Sequence, residues 1–182
     1  SLGEANAFSF TNTHAEFDGA SSIAANGTSG LQLSNLTLTD NPSIGLTLSS
    51  SIHATIDGIT VAGSHNKGSD GNGYGVLLTE AFNNTLTGVA VTDTRHAIVF
   101  SAWSAETGNS VSAEFINRDV NFHGSPDTGN IVHVAQGVLS YDTAIDPAVW
   151  SLVSTGGSNH AATDIWGRNA VRFAIGEGSS NV

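Results

Sequence analysis

Three segments between residues 35 and 100 read nearly as copies of one another, and no other feature limits the possible folds of this chain as much. They are Asn35-Leu-Thr-Leu-Thr-Asp with Ile44-Gly-Leu-Thr-Leu, Gly58-Ile-Thr-Val-Ala-Gly with Tyr74-Gly-Val-Leu-Leu, and Gly88-Val-Ala-Val-Thr-Asp with His96-Ala-Ile-Val-Phe. The anchors Asn35, Gly58 and Gly88 lie 23 and 30 residues apart. A period of that size belongs to stacked repeats, in which one turn cannot bury its apolar side alone and is completed by the turns on either side.

Each turn can be laid out as three strand positions. The first holds Leu36-Thr-Leu38, Ile59-Thr-Val61 and Val89-Ala-Val91. The second holds Ile44-Gly-Leu-Thr-Leu48, Val76-Leu-Leu78 and Ala97-Ile-Val-Phe100. The third, shorter, holds Thr55-Ile56, Thr85-Leu86 and Ser110-Val111. Alternation with period two puts Leu36, Leu38, Ile59, Val61, Val89 and Val91 inward, where burial contributes roughly 1.5 to 3 kcal/mol per side chain. On the outside of the second position the pattern places Thr47, Leu78 and Val99. Asn84, Asn109 and Asn130 each precede a strand, at intervals of 25 and 21, as a stacked amide ladder at a corner requires.

The segments built on Gly58-Ile-Thr-Val with Tyr74-Gly-Val-Leu-Leu and on Gly88-Val-Ala-Val with His96-Ala-Ile-Val-Phe, together with the Asn-led turns, resemble the repeats of the right-handed parallel β-helix proteins of the pectin-lyase-like superfamily. The resemblance covers about residues 30 to 135. It implies an all-β, right-handed parallel β-helix with three strands per turn. Residues 1–30 would form a first turn or N-terminal cap, 31–137 the regular turns, and 138–182 irregular turns or a cap. It also implies a bias toward polysaccharide, because such proteins include pectate lyases, polygalacturonases, alginate C5-epimerases, phage tailspikes and non-catalytic adhesins. The chain departs from the enzymes' motifs: it has no Asp-Asp dipeptide and no Asp-Pro-His-Glu.

Composition narrows the function classes. Sixteen acidic residues against five basic ones give a net charge of −11, which excludes nucleic acid as a partner and requires cations beside any polyanionic ligand. The chain has no Cys, so thiolate metal sites and Cys nucleophiles are excluded, and its His residues show no zinc-binding spacing. No apolar run is long enough for membrane insertion. The acidic, Gly- and Asx-rich composition points to an extracellular or cell-surface setting, and a first residue other than Met to a piece of a larger protein.

Candidate chemistry gathers at one inserted stretch, Ser64 to Gly75, about ten residues longer than the matching corners. Insertions in repeat proteins become loops on one face, often the binding face. Tyr74 and the pair Arg95-His96 precede second-position strands on neighbouring turns, so stacking brings them together, with His65, Lys67 and Asp70 in the loop beside them. A cation beside a uronate carboxylate, with His and Tyr exchanging protons at the sugar carbon, is the chemistry of a lyase or C5-epimerase. On that reading Tyr74, His96, Arg95 and His65 are the catalytic candidates, and Lys67, Asp70, Arg118 and His123 bind substrate. Asp70 and Asn72, with a backbone carbonyl, are the candidate oxygen ligands for Ca²⁺, although no cofactor is required by the sequence.

The alternative assignment is structural: Tyr74 packs over the coil, Arg118 pairs with Asp119, and Arg95 meets a surface carboxylate. Two functions follow. One is an extracellular module that binds or processes an acidic, uronate-rich polysaccharide. The other is a non-catalytic structural or adhesive shaft of a bacterial surface or phage protein.

Overall fold

The computed structural model describes residues 8–11, 19–68, 71–101, 104–122, 127–137, 152–155, 158–164 and 172–175. Fourteen strands are described: β1 (Phe8–Thr11), β2 (Ser21–Asn26), β3 (Gln32–Asn41), β4 (Ile44–Ser49), β5 (Thr55–Ser64), β6 (Tyr74–Thr79), β7 (Thr85–Thr92), β8 (His96–Phe100), β9 (Ser110–Ile116), β10 (Val120–Phe122), β11 (Ile131–Val134), β12 (Leu152–Thr155), β13 (Ser158–Asp164) and β14 (Arg172–Ile175). From β1 to β11 successive strands alternate between two sheets. One runs β1-β3-β5-β7-β9-β11-β14 and the other β12-β13-β10-β8-β6-β4-β2. All these pairings are parallel except the antiparallel β12–β13 pair. The chain is therefore a parallel β-solenoid of about five turns, each near 23 residues.

Stacking places like on like. Leu36, Ile59 and Val89 fall in register along the first sheet, as do Leu38, Val61 and Val91. All six are buried, and they meet Leu46, Leu48, Val76, Leu78, Ile98 and Phe100 of the second sheet in one core. Phe100 stacks on Phe122 of the next coil, with ring centroids 4.4 Å apart. The interior is narrow where the second sheet begins. A Cβ on Gly45 would lie 2.5 Å from Val61 Cγ1, and one on Gly75 would lie 2.4 Å from Val91 Cγ1.

Two sheets run through the stack where three strand positions per turn are expected. The third-position segments Thr55-Ile56 and Thr85-Leu86 form the leading ends of β5 and β7. Each joins its first-position segment through a left-handed glycine, Gly58 (φ 76°) or Gly88 (φ 61°), which stack beside Asn35 (φ 53°) in β3. The outer column of the second sheet also differs from expectation: Leu77 stands in register with Thr47 and Val99, while Leu78 points into the core.

The corner before the first sheet is built from five parallel columns. Isolated bridges align Ser29, Ile52, Phe82, Thr107 and Thr128. One residue earlier stands a column of Thr28, Ser51, Ala81, Glu106 and Asp127. One residue later stands a left-handed column of Gly30, His53, Asn83, Gly108 and Gly129. Next comes the ladder of Asn84, Asn109 and Asn130, all buried, followed by the strand starts. The expected amide ladder is present, but the left-handed conformation belongs to the residue before each Asn, where a missing Cβ or a short polar side chain lowers its cost.

Candidate functional site

The inserted loop leaves β5 after Ser64 and returns at Tyr74, whereas only residues 42–43 and 93–95 connect the equivalent strands of the neighbouring coils. Tyr74 pairs in register with His96, the first residue of β8, and the two rings lie 5.5 Å apart at a tilt of 49°. Stacking thus brings two of the four catalytic candidates into contact. Arg95 adjoins them: its Nη1 donates to the carbonyl of Gly68 in the loop at 2.8 Å. Fourth of the set, His65 is exposed beyond the end of β5, with its backbone N–H bonded to Asn41.

His96 is held from below. Its Nδ1 lies 2.7 Å from Asp119 Oδ1 and 3.5 Å from Asn121 Nδ2. Both partners come from the next coil. His96 is 3% exposed, Asp119 0% and Tyr74 5%, so the group is closed to solvent. Asp119, expected to pair with Arg118, has its Oδ1 on the imidazole. Thr47, Leu77 and Val99 do not form an open groove beside it. Val99 is buried, and with Leu77 it packs against Ile44 and Tyr74 as a small outer core.

Basic side chains collect on the loop side of this group. Lys67 Nζ lies 2.8 Å from Asp93 Oδ1. That bond, with the nearby charges of Lys67 and Arg118, holds the Asp93 carboxyl below its ordinary value of 3.8 despite partial burial. Gly73 threads between Lys67 and Arg95, since a Cβ there would lie 2.8 Å from Lys67 Cα and 2.8 Å from Arg95 Cβ. Arg118 is buried, and its Nη1 donates to the Asn117 carbonyl at 3.0 Å. Lys67, Arg95 and the buried Arg118 therefore share one flank, and Asp93 and Asp119 are described carboxylates beside them.

Of the two metal candidates, Asn72 is buried and its Oδ1 accepts from Gly19 N–H and from Ser43 Oγ, both at 2.8 Å. The oxygen that a cation would take is bonded inside the fold. Asp70 and His123 lie outside the described residues, and among the described ones no cluster of three or more His, Asp or Glu is placed to hold a metal.

Sequence reasoning missed a second acidic group. Glu106 is buried and its Oε1 accepts from Ser104 Oγ and, at 3.0 Å, from the Glu80 N–H. The Glu106 N–H in turn donates to Asp127 Oδ1 at 2.8 Å. Burial, and then contact with the Asp127 carboxyl, raise the Glu106 pKa from 4.5 to about 8 against the lowering effect of Ser104. Outside this group lies a groove of about 500 Å³ lined by Ser50, Ile52, Glu80, Phe82, Ser104 and Ala105, with Phe82 37% exposed. The signal was available: aligning the chain on Asn84, Asn109 and Asn130 and reading three residues back gives Ala81, Glu106 and Asp127.

Comparison of the chain with protein-family models, with curated proteins and with solved structures finds no match.

Proposed function

We propose that this chain is a segment of an extracellular right-handed β-helix, with three strand segments per turn, that holds acidic polysaccharide against its loop-bearing flank. One observation carries this reading. Lys67, Arg95 and Arg118 are three of only five basic residues in a chain of net charge −11, and they meet on one flank beside the inserted loop. A chain with this net charge repels a polyuronate in general, so a carboxylated chain is drawn to the flank where the partly exposed Lys67 and Arg95 stand together. The left-handed bends at Asn35, Gly58 and Gly88 support three segments per turn, and the stacked Asn ladder supports the pectin-lyase-like assignment.

The test is binding of polygalacturonate and alginate, against neutral glycans of equal length, by calorimetry at low and high salt. Uronate-selective, salt-sensitive binding that weakens roughly tenfold or more in Lys67→Ala/Arg95→Ala is expected. Equal binding of neutral glycans, or no effect of the double substitution, removes this reading. Absence of binding to any glycan leaves the structural shaft.

A second reading, uronate lyase or C5-epimerase, draws support from the contact of Tyr74 with an imidazole that is oriented by Asp119, and the closure of that group to solvent ranks it behind binding. A carboxylate on Nδ1 fixes the tautomer of a proton-transferring His. Incubation of the same polymers with and without Ca²⁺ distinguishes it. Unsaturated-product absorbance or inverted C5 configuration by NMR, lost in His96→Gln, supports it; binding without turnover assigns the flank to adhesion alone.

A further inference from the structure

Among the described residues, Phe82 and Ile131 are the large apolar side chains left exposed. Phe82 stands in the outward column of the corner, bridged in parallel to Ile52 on the coil before and to Thr107 on the coil after. Two residues earlier on the same three coils stand Ser50, Glu80 and Ala105. Side-chain size therefore drops from the second of these coils to the third, from Phe82 to Thr107 and from Glu80 to Ala105. This step lies beside the groove of about 500 Å³ that these coils line, a volume in the range of ligand sites.

The border of the groove is acidic and fixed in place. Glu80 is exposed, and its carboxylate accepts from Ser50 Oγ. Its N–H donates to Ser104 Oγ at 3.1 Å and to Glu106 Oε1 at 3.0 Å, which ties the backbone of Glu80 to the following coil. Ser50 (φ 47°) and Glu80 (φ 49°) both hold a left-handed backbone that favours glycine, in line with Gly27 (φ 60°) on the coil before them. Two polar side chains thus stand beside the groove at a position where the first coil carries none.

Charge and shape together select the occupant. No ion pair within the described residues involves Glu80, whereas the cations Lys67, Arg95 and Arg118 gather on the loop-bearing flank, which shares no residue with the groove. In a chain of net charge −11, an apolar groove bordered by a carboxylate favours a ligand that joins an apolar body to a cation. A Lys or Arg side chain is built that way: its methylene stem lies along apolar surface, and its charged head reaches a carboxylate or an aromatic face. The groove crosses three coils, two steps of about 4.8 Å, a length that roughly three residues of extended peptide span.

We propose that the Phe82 groove is a docking site for a basic peptide segment of a partner protein. A Lys or Arg of that segment lies along Ile52 and Phe82 with its cation at Glu80, and a neighbouring apolar residue fills the step at Ala105. This site does not rest on the polysaccharide reading.

Amide NMR of the unmodified chain tests it, with acetyl-Leu-Lys-Leu-amide as the probe, the peptide with Glu in place of Lys as its control, and hexylamine as a small amine. Saturable shifts at Ile52, Phe82 and Ala105 are expected with the Lys peptide and not with the Glu peptide. Glu80→Gln and Phe82→Ala should each weaken binding roughly threefold or more. Both side chains are exposed, and the Glu80 N–H that joins the coils is kept, so the variants retain the bonds of the corner. No saturable shift at the groove, equal binding of the Glu peptide, or unchanged affinity in either variant overturns the proposal. Hexylamine binding as tightly as the Lys peptide overturns a peptide as the occupant.

Discussion

Asn84 and Asn109 are joined by a doubled hydrogen bond: the backbone N–H and the Nδ2 of Asn84 both donate to Asn109 Oδ1, at 3.1 and 2.9 Å. Asn109 repeats the arrangement toward Asn130, with both distances 2.9 Å. Each side chain also reaches back to a carbonyl of the preceding stretch, Asn84 to Ser51 at 3.1 Å and Asn109 to Ala81 at 2.8 Å. The corner's buried amides are thereby satisfied from one coil to the next, and a slip of one residue would break every one of these bonds at once.

Replacing Asn109 with Ala should destabilise the chain by roughly 2 to 4 kcal/mol, because two donors of Asn84 and the Ala81 carbonyl lose their buried partner. Chemical denaturation of Asn109→Ala against the unmodified chain measures it. A change under about 1 kcal/mol would mean that water or a shifted corner takes over the bonds.

Gly75→Ala and Gly27→Ala should separate crowding from backbone strain. At Gly75 the new methyl meets Val91 Cγ1 at 2.4 Å and the Ala97 carbonyl oxygen at 2.5 Å, and the second of these is backbone. Overpacking there costs about 1 to 3 kcal/mol or more. At Gly27 nothing lies within 4 Å, and only the φ of +60° opposes the substitution, a cost of roughly 1 to 2 kcal/mol. Adding Val91→Ala should recover part of the Gly75→Ala loss and none of the Gly27→Ala loss; thermal midpoints of the four variants decide.

Asp93→Asn removes the carboxylate that competes for Lys67. Its effect on stability near neutral pH should be under about 1 kcal/mol, as for an exposed ion pair. The lowered Asp93 pKa makes its contribution present above the ordinary value of 3.8 and lost as pH falls through the folded value. Acid unfolding of Asp93→Asn should accordingly show a shallower loss below that range. Affinity for polyuronate should rise several-fold in calorimetry, since Lys67 is released to the ligand.

Asp119→Ala leaves the His96 Nδ1 without its carboxylate inside a closed site and should cost roughly 1 to 3 kcal/mol. Asp119→Asn keeps the shape and should cost less. Proton NMR of the His96 ring reports the change directly: a downfield Nδ1–H resonance in the unmodified chain should move upfield in Asp119→Asn and vanish in Asp119→Ala.

Repeat spacing and alternation located the inward residues Leu36, Leu38, Ile59, Val61, Val89 and Val91 because burial in a stack is enforced at every turn. The Asn ladder was legible for the same reason. Pairing between coils was harder to read. His96 and Asp119 lie 23 residues apart, each after an Arg, but which acid a buried His meets depends on how the short strand β10 enters the sheet. Leu78 was placed outward because the turn at Gly45 and Gly75 shifts the parity of the second sheet: both Gly75 and Val76 face inward, so Leu77 takes the outer place. Glu106 and Asp127 carry no local signature, since only the alignment of corners reveals that two acids stand one above the other.

The strand β10 sets a mechanical limit. Hydrogen bonds between parallel coils point along the stack, about 4.8 Å per step, so a pull in that direction loads the coil-to-coil seams in series. Between β3 and β5 such a seam has eight registered residue pairs, from Gln32–Thr55 to Asn41–Ser64. β10 offers three, Val120 to Phe122, to each of its neighbours β8 and β13. A tug on the ends should therefore part this sheet first beside β10, whereas force across the coils is borne by the covalent backbone of every turn.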